Sequence, residues 1–481
     1  MTESFDIVII GYGPAGIAAA GGAVREGARV AVVESHAPGG ACLHRGCIPY
    51  AVFIDKLRYG ADAHGARASF DLPSVLGDIR RTQERMVEDL EREAVRLGIK
   101  MIRGRATIVS GGSVRVSTSD GAEREIGASR IVVAAGRGEA GTTEGYTQDG
   151  VRPVPGRVVH AERFFDEVTE IPPSAIVVGG GTSGIELAAA LNSLGTRVTV
   201  FEAEPELFAR AGRFASRRFT DMLEERGIAV RAGARVVSVG TGDDGTVTCE
   251  FDGAAGRETS DAAIAVVATG RRHDCRRLFA SEELARNLGV RFDAGRIVVD
   301  EDGRSGCATI FAAGDATAGP CYAHRASADG RRVSAAIAGH PRGDGENRRR
   351  AQAGAAGRDV PHCVRTGTEF GFVGMSADDA QASGVPAVTG RAWAAANGYA
   401  VATGRTGGFA ELVFALTDDR RPGALIGAQV LCPPASELIA ACLLAMRAGA
   451  DAETLAETVY AHPTFSELLG EAARNALTKT R

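Results

Sequence analysis

The chain has 481 residues, too many for one hydrophobic core, and this length predicts about three domains. Its 55 basic and 60 acidic residues give a formal charge of -5 and include no basic run interleaved with aromatic residues, so we predict no nucleic-acid partner. Hydrophobic residues make up 44% of the chain, yet no uninterrupted apolar stretch approaches the roughly 18 residues that span a bilayer, so we expect no membrane partner.

The N-terminal segment carries Glu3 and Asp6 where a secretory signal peptide needs positive charge, and glycines interrupt its apolar run. We therefore expect a cytoplasmic protein. The nine cysteines are an odd number spread over a long chain, unlike the dense framework of a small secreted domain. Most of them are predicted to be buried apolar residues.

The first predicted elements are a buried strand, a glycine turn, a helix of small residues and a second strand, in FDIVIIGYGPAGIAAAGGAVREGARVAVVE. This is the pattern of a dinucleotide-binding βαβ unit. Gly11 allows the tight turn, Gly13 lets a pyrophosphate approach the backbone, and Gly16 lets the helix pack against the strand. Glu34 closes the second strand, where its carboxylate can accept hydrogen bonds from a ribose 2′-hydroxyl.

The same pattern recurs in SAIVVGGGTSGIELAAALNSLGTRVTVFE, so two nucleotides are predicted. Gly179, Gly181 and Gly184 lie on the second turn, and Glu202 closes its second strand. The Glu202 carboxylate would repel the extra phosphate of NADP, so the pattern favours NAD over NADP at this site. For either unit, the alternative is a βαβ turn that binds no nucleotide.

Two further stretches, RIVVAAGR (130–137) and AIAVVATGRR (263–272), predict buried strands that end near Gly136 and Gly270, beside a bound nucleotide. A third strand opens IFAAGDATAGPCYAHRASADGRRVSAAIAG, with Asp315 just past its carboxyl end and an Ala-rich helix after it. That position suits a carboxylate that binds a cofactor hydroxyl, and it equally suits an aspartate that caps a helix.

A polar segment rich in glycine and arginine at 340–361 predicts the last domain boundary. Beyond it, FAELVFAL and ALIGAQVL alternate like strands of an antiparallel sheet. The stretch ASELIAACLLAMRAGADAETLAETVY then predicts helix, turn and helix, and His462 and Pro463 precede a final amphipathic helix.

The segment GGACLHRGCIP places Cys42 and Cys47 five positions apart, shortly after the first βαβ unit. In one helix beginning near residue 42 their azimuths would differ by roughly 140°, or less if the first lies in the turn, so the thiols can reach each other. A zinc site would need two more ligands, and His44 is the only obvious one nearby. We predict no metal site, which leaves a redox pair or two buried thiols.

Together these motifs resemble the pyridine nucleotide-disulfide oxidoreductases, the family of dihydrolipoamide dehydrogenase, glutathione reductase and mercuric reductase. The resemblance rests on GGACLHRGCIP, both GxGxxG turns, AAGDA and the terminal HPTFSE, which follow the family's order over nearly the whole chain. It implies an α/β fold with two Rossmann-like domains, for FAD and NAD, and an α+β C-terminal dimerisation domain. By resemblance, residues 1–150 and 271–345 bind FAD, residues 151–270 bind NAD(P), and residues 346–481 form the dimer interface.

The resemblance also implies the catalytic roles. Cys42 exchanges with the substrate, Cys47 faces the flavin, and His462 is the general acid-base, oriented by Glu467. A base is needed because a free thiol, with a pKa of about 8.5, is mostly protonated at neutral pH. The histidine acts on the thiols of the partner subunit, so the active site exists only in the homodimer. The alternatives are a solvated loop histidine for His462 and a first-turn residue favoured by the helix dipole for Glu467.

The same resemblance assigns the cofactor contacts, with Asp315 as the carboxylate on the flavin ribityl chain. The residues implied for FAD are Gly11, Gly13, Gly16, Glu34, Gly136, Asp315 and His324, and those for NAD are Gly179, Gly181, Gly184, Glu186, Glu202 and Gly270.

The sequence departs from the family beside the flavin. Family members usually carry a lysine three or four residues after the second cysteine, paired with the glutamate of the second nucleotide motif. Here those positions hold Tyr50 and Ala51, so Glu186 lacks that partner. Thr182 stands where many relatives have a bulky residue over the flavin. These changes predict dithiol-disulfide chemistry with slower hydride exchange with NAD.

Two more departures lie after the linker, in the family's T-x-P-E stretch, where Thr368 replaces the usual proline and Arg365 the usual tyrosine. At the C-terminus, RNALTKTR lacks the cysteine pair of mercuric reductases, and Glu202 argues against an NADPH-specific reductase of the glutathione type.

We therefore predict a homodimeric, FAD-dependent, dihydrolipoamide dehydrogenase-like enzyme. It would pass electrons between NAD and a small-molecule or protein-tethered dithiol or disulfide through Cys42 and Cys47. One alternative is a flavin oxidase or dehydrogenase of a specialised biosynthetic thiol metabolite, with oxygen or another acceptor. The other is a flavin-bearing scaffold without turnover.

Overall fold

The computed structural model describes residues 3–59, 71–137, 151, 153–270, 273–340 and 358–479. The predicted linker at 340–361 thus lies mostly outside the described residues. The chain divides into two compact units: the first comprises Met1–Phe53, Pro73–Thr147 and Gly270–Gly343, and the second comprises Ile54–Leu72, Gln148–Thr269 and Asp344–Arg481. Of the helices that the structure describes, none combines the length and apolar character of a membrane span.

The first unit contains a seven-stranded sheet of order β3-β2-β1-β6-β5-β4, with β17 also paired to β6. Its strands are β1 (Ser4–Ile10), β2 (Val30–Glu34), β3 (Lys100–Arg103), β4 (Arg105–Ser110), β5 (Ser113–Ser117), β6 (Glu123–Val133) and β17 (Ile310–Ala312). Strand β1 runs parallel to β2 and β6, and β17 runs parallel to β6. The apolar runs of these parallel strands are buried in two hydrophobic clusters, because helices cover both faces of such sheets.

The helices in this part of the chain are α1 (Pro14–Arg25), α2 (Gly40–Arg45), α3 (Cys47–Tyr59), α4 (Leu72–Arg96), α8 (Glu282–Asn287) and α9 (Ala323–Ile337), with a short hairpin of β15 (Phe292–Asp293) and β16 (Arg296–Ile297). Helix α9 lies directly against α1, because Gly330 has no side chain: a Cβ there would lie 2.2 Å from the carbonyl oxygen of Ala15.

The prediction that one helix begins near residue 42 and carries both cysteines was wrong. Two helices, α2 and α3, meet at Gly46, whose φ of -142° and ψ of -117° are not helical. Cys42 therefore lies within α2, and Cys47 is the first residue of α3. The side chain of Gln83, on α4, donates hydrogen bonds to the carbonyls of Leu43 (3.2 Å) and His44 (2.9 Å), where α2 ends.

The second unit contains three sheets. The parallel sheet has the order β10-β9-β8-β14-β7, and two antiparallel sheets have the orders β11-β12-β13 and β18-β19-β22-β21-β20. Their strands are β7 (Val158–His160), β8 (Ser174–Val178), β9 (Arg197–Glu202), β10 (Ala229–Ala232), β11 (Arg235–Thr241), β12 (Val247–Gly253), β13 (Gly256–Ala262), β14 (Ile264–Val267), β18 (His362–Val364), β19 (Phe370–Gly374), β20 (Ala387–Trp393), β21 (Phe409–Leu416) and β22 (Pro422–Leu431).

The helices of the second unit are α5 (Phe164–Glu167), α6 (Thr182–Ser193), α7 (Arg213–Glu225), α10 (Ala377–Ala382), α11 (Gly398–Ala402), α12 (Ala435–Ala448), α13 (Ala452–Glu457) and α14 (Glu467–Thr478). The predicted antiparallel pair is β21 with β22, and the predicted helix, turn and helix are α12 and α13. These elements and both βαβ units confirm the predicted fold class.

Candidate active site

The first glycine turn joins β1 to α1. Gly11 has a φ of +97°, and a Cβ at this position would lie 2.6 Å from the carbonyl oxygen of Ala134. A Cβ on Gly16 would lie 1.9 Å from the carbonyl oxygen of Gly11. The Glu34 carboxylate accepts hydrogen bonds from the backbone N–H of Tyr12 (2.7 Å) and of His36 (2.9 Å), so it ties the end of β2 to the turn.

The second glycine turn, between β8 and α6, repeats this geometry. Gly179 has a φ of +104°, and a Cβ on Gly184 would lie 2.1 Å from the carbonyl oxygen of Gly179. The Glu202 carboxylate accepts from the backbone N–H of Gly180 (2.8 Å) and of Glu204 (2.9 Å). The two carboxylates that the sequence pattern singled out therefore perform the same task in the two units.

Both turns fit a dinucleotide. Helices α1 and α6 begin after Gly13 and Gly181, and no side chain caps the first turn of either helix. A Cβ on Gly181 would meet nothing within 4 Å, and one on Gly13 would only reach the Cα of Gly40 at 3.6 Å. Uncapped N–H groups at a helix N-terminus beside open backbone can bind a pyrophosphate. Gly136 and Gly270, after the two return strands, have φ values of +68° and +97°.

Asp315 lies just past the end of β17, in a short 3-10 turn. Its carboxylate does not cap α9, whose N-cap is Tyr322 and has no side-chain cap. Instead, Arg137 Nε donates to Asp315 Oδ2 at 2.8 Å. His324, the other residue predicted for FAD in this region, is exposed on the first turn of α9, and its ring stacks on Tyr322.

A buried carboxylate that the sequence analysis missed supports the Asp315 turn. Asp329 Oδ2 accepts the backbone N–H of Gly314 at 3.3 Å, and it pairs with Arg325 at 3.1 Å. Its other oxygen pairs with Arg332 at 2.7 Å. The three side chains come from one face of α9, which the spacing of residues 325, 329 and 332 could have indicated.

Cys42 and Cys47 lie in contact. The two thiols form a hydrogen bond, and neither is oxidised to a disulfide. This bond, followed by burial and the negative charge of Asp315, raises the pKa of the Cys42 thiol. Of the nine cysteines, Cys249, Cys275, Cys432 and Cys442 are buried, Cys47 is exposed and the other four are partly buried, so the prediction that most are buried was wrong. In the described residues there is no cluster of three or more metal-ligating side chains.

His462 and Glu467 form the second predicted catalytic pair, before α14. His462 Nδ1 lies 3.0 Å from Glu467 Oε1, and the histidine side chain is 76% exposed. The N–H of Thr464, and then His462, lower the pKa of Glu467, so this carboxylate is ionised at neutral pH. The pair leaves the Nε2 atom of the imidazole directed away from its carboxylate partner.

The beginning of α6 contacts β18 through polar groups. Thr182 Oγ1 lies 2.8 Å from His362 Nε2. The Glu186 carboxylate, expected to lack its lysine, accepts the backbone N–H of Arg365 at 2.7 Å. Sequence reasoning missed these contacts, because about 180 residues separate the partners in each case.

Known families match the chain over most of its length. Residues 5–330 match the pyridine nucleotide-disulphide oxidoreductase family, and residues 360–473 match the dimerisation domain of the same family. The chain belongs to this family. It is therefore an FAD-dependent disulfide oxidoreductase, with FAD and NAD(H) as its cofactors and a C-terminal dimerisation domain of the kind found in homodimers.

Relatives that resemble it over nearly its full length include dihydrolipoyl dehydrogenases. One from Geobacillus stearothermophilus is 31% identical over 98% of this chain and 96% of its own length. Another, from Halobacterium salinarum, is 32% identical over 98% of this chain and 96% of its own length. Among solved structures, LpdA from Mycobacterium tuberculosis has the same fold, with a TM-score of 0.83, 24% identity and coverage of 98% and 99%. The two dihydrolipoyl dehydrogenases support the dihydrolipoamide dehydrogenase-like prediction over the oxidase and scaffold alternatives.

Proposed function

We propose that this enzyme oxidises a lipoyl-type dithiol to its disulfide and passes the two electrons to NAD. The balanced reaction is R(SH)2 + NAD⁺ → RS2 + NADH + H⁺. The observation that carries the proposal is the contact between the Cys42 and Cys47 thiols at the junction of α2 and α3. A pair held this way can alternate between dithiol and disulfide with little movement of the backbone. The identity of the relatives as dihydrolipoyl dehydrogenases supports the substrate class.

The thiols act in sequence. In the oxidised enzyme, a substrate thiolate attacks the Cys42 sulfur, the Cys42–Cys47 disulfide breaks, and Cys47 leaves as a thiolate. The second substrate thiol then attacks the mixed disulfide, releases the substrate disulfide and leaves Cys42 reduced. FAD, when bound, carries the two electrons from the dithiol to NAD. A base must take the proton from each attacking substrate thiol, because a free thiol is mostly protonated at neutral pH, and Cys42, whose pKa is raised, takes up a proton when it leaves.

His462 is proposed as that base. His462 Nδ1–H donates a hydrogen bond to the Glu467 carboxylate, which fixes the tautomer and leaves Nε2 to take the substrate proton. Its high exposure supports an action outside its own unit, on the thiols of the partner subunit. Two active sites would then be shared across the homodimer, with residues 346–481 at the interface.

For the cofactors, we propose that residues 1–150 and 271–345 hold FAD and residues 151–270 hold NAD. The uncapped first turns of α1 and α6 would bind the two pyrophosphates, and Glu34 and Glu202 the ribose hydroxyls. Gly136, Asp315 and His324 would complete the FAD site, and Gly270 and Glu186 the NAD site. These assignments are proposals supported by the geometry of each turn.

An anaerobic absorbance titration tests the function. Purified holoenzyme is titrated with NADH and, separately, with dihydrolipoamide, and the long-wavelength band of a thiolate next to oxidised flavin is recorded. We expect the band with both reductants, no dihydrolipoamide-driven band in Cys42→Ser, and an unchanged band in the matched control Cys249→Ser, a buried thiol of the second unit. A wild-type enzyme reduced by dihydrolipoamide without the band would contradict the roles of the thiols, and failure of NADH alone would favour another electron acceptor.

A further inference from the structure

The positive charge expected beside the flavin is missing at its usual position. Tyr50 and Ala51 occupy the places where the family carries a lysine, and Ala51 is exposed on α3. The first unit nevertheless holds an arginine at the proposed flavin turn. Arg137 directly follows Gly136, just past the carboxyl end of β6.

The topology brings this arginine to Asp315. Strands β6 and β17 are parallel neighbours, so their carboxyl ends meet at one edge of the sheet. The side chains of Arg137 and Asp315 are 26% and 21% exposed, and their ion pair is 2.8 Å long. A pair with this little exposure is screened less by water than a surface pair.

A second arginine lies in the same neighbourhood. Arg296 Nη2 lies 2.8 Å from His273 Nε2 and 3.8 Å from Cys321 Sγ. Burial, then the charges of Arg296 and Arg137, lower the pKa of His273 to about 4, so this imidazole is neutral at pH 7. Among the described residues of this neighbourhood, Arg137 and Arg296 carry positive charge and Asp315 carries negative charge, and Arg325, which pairs with Asp329, also acts on Cys321.

The carboxylate acts on the reactive thiols as well. The hydrogen bond with Cys47 and burial raise the pKa of Cys42 most, and the charge of Asp315 adds to this rise, as it adds to the effect of burial on the pKa of Cys321. An uncompensated carboxylate at this position would oppose every step that adds negative charge nearby.

We propose that Arg137, by pairing with Asp315, neutralises the carboxylate proposed to lie beside the flavin ribityl chain, in a chain that lacks the family's lysine, and so raises the reduction potential of bound FAD. The inference rests on the proposed function, in which Asp315 lies at the flavin. Arg137 is a positioning and charge-compensating residue, and Arg296 adds to the same field.

The test is the two-electron midpoint potential of the holoenzyme, measured by equilibration with a redox dye. We expect Arg137→Gln to lower the ratio of reduced to oxidised flavin about tenfold at a fixed potential, which equals about 30 mV for a two-electron couple. Arg137→Lys keeps the charge and should leave the potential unchanged. The matched control is Arg130→Gln, which removes an exposed arginine of β6 that donates to the Ser129 carbonyl and should have no effect.

A second substitution that restores a positive charge separates the effect of charge on the potential from an effect on structure. Ala51→Lys in the Arg137→Gln background restores a cation near the redox pair and should return the potential toward the wild-type value. An Arg137→Gln shift no larger than that of Arg130→Gln, or an equal shift in Arg137→Lys, would overturn the proposal. If Arg137→Gln does not retain FAD, the Arg137→Lys measurement decides. The proposed function fails separately, when wild-type enzyme shows no thiolate band with dihydrolipoamide.

Discussion

The two βαβ units share a backbone and differ in what packs against it. In both, a glutamate at the end of the second strand accepts two hydrogen bonds from backbone N–H groups. One comes from the glycine turn and the other from the residue two positions beyond the glutamate. In the first unit, α9 packs against α1 just past the turn, where Gly330 lies close to Ala15. The second turn faces polar groups of β18, through Thr182 and Glu186.

In a repeated fold, the elements packed beside the common turn therefore set the chemistry. The turn and its carboxylate form the proposed dinucleotide site in each unit, and their geometry is nearly the same in the two units. The elements packed beside each βαβ unit, α9 in one case and β18 in the other, bring different polar side chains to it. Variants of the turn and of its neighbours separate the shared skeleton from these surroundings.

The largest effect is expected from a methyl group at the third glycine of each turn. Gly16→Ala and Gly184→Ala would each place a Cβ about 2 Å from a carbonyl oxygen. Such overpacking costs about 1–3 kcal/mol, which lowers nucleotide affinity roughly 5- to 150-fold. Gly16→Ala should lose FAD, measured as the flavin-to-protein ratio. Gly184→Ala should keep FAD and bind NADH weakly, measured by calorimetry.

The control for these variants is Gly240→Ala, where a Cβ meets nothing within 4 Å and the glycine φ is ordinary. It should retain both cofactors. Loss of the same cofactor from Gly16→Ala and Gly184→Ala would contradict the assignment of one nucleotide to each unit.

A smaller effect is expected from removing the charge of each carboxylate. Glu202→Gln keeps an acceptor for Gly180 but no longer repels a 2′-phosphate, so the kcat/KM ratio of NADPH to NADH should rise about tenfold, the scale of one hydrogen bond to a charged group. Glu34→Gln, its counterpart in the first unit, should leave that ratio unchanged. Steady-state kinetics with both nucleotides measures the ratio, and equal changes in the two variants would argue against the assignment.

The polar contact beside the second turn should have a weaker influence. Thr182→Val removes the hydroxyl bonded to His362, and a hydrogen bond contributes about 0.5–1.5 kcal/mol, so the KM for NADH should change roughly 2- to 10-fold. Reduction by dihydrolipoamide should not change. Thr220→Val removes a hydroxyl bonded within α7 and serves as the control. Slower reduction by the dithiol in Thr182→Val alone would link this contact to the thiol site instead.

The smallest effect concerns stability against acid. The pKa of His273 is about 4 in the folded protein against an ordinary 6.5, so the unfolded chain binds the proton first. Stability should therefore fall as pH is lowered from about 6.5 to 4. The full shift would correspond to roughly 3 kcal/mol, and solvent around this partly exposed ring reduces it, so His273→Gln should remove about 1 kcal/mol of this loss, or about 1–2 °C in Tm. Thermal melts across this range test it, and parallel pH profiles of the two proteins would contradict it.

Patterns of short range predicted the skeleton well. The glycine turns, Glu34, Glu202, the thiol pair and the His462–Glu467 pair are each readable from residues close together in the chain. The break at Gly46 was missed, because spacing alone does not show where a glycine leaves helical geometry.

Contacts of long range could not be read in the same way. Arg137 and Asp315 are 178 residues apart, and Thr182 and His362 are 180 apart. Only the pairing of β6 with β17, or the packing of β18 on α6, brings such groups together. The contact of Arg137 could have been predicted most readily, because this residue directly follows a predicted strand and the carboxyl ends of neighbouring parallel strands meet.

The hydrogen bonds that the Glu34 and Glu202 carboxylates accept have a thermodynamic consequence. Each carboxylate ties the loop after its strand to the glycine turn through two hydrogen bonds from backbone N–H groups, and these bonds need no nucleotide. The loops are thus ordered before a cofactor arrives, and binding does not have to freeze them. Beyond the translational and rotational entropy lost in any association, the conformational entropy lost then comes mainly from the rotatable bonds of the dinucleotide, so stiffening the ligand should strengthen binding more than stiffening the protein.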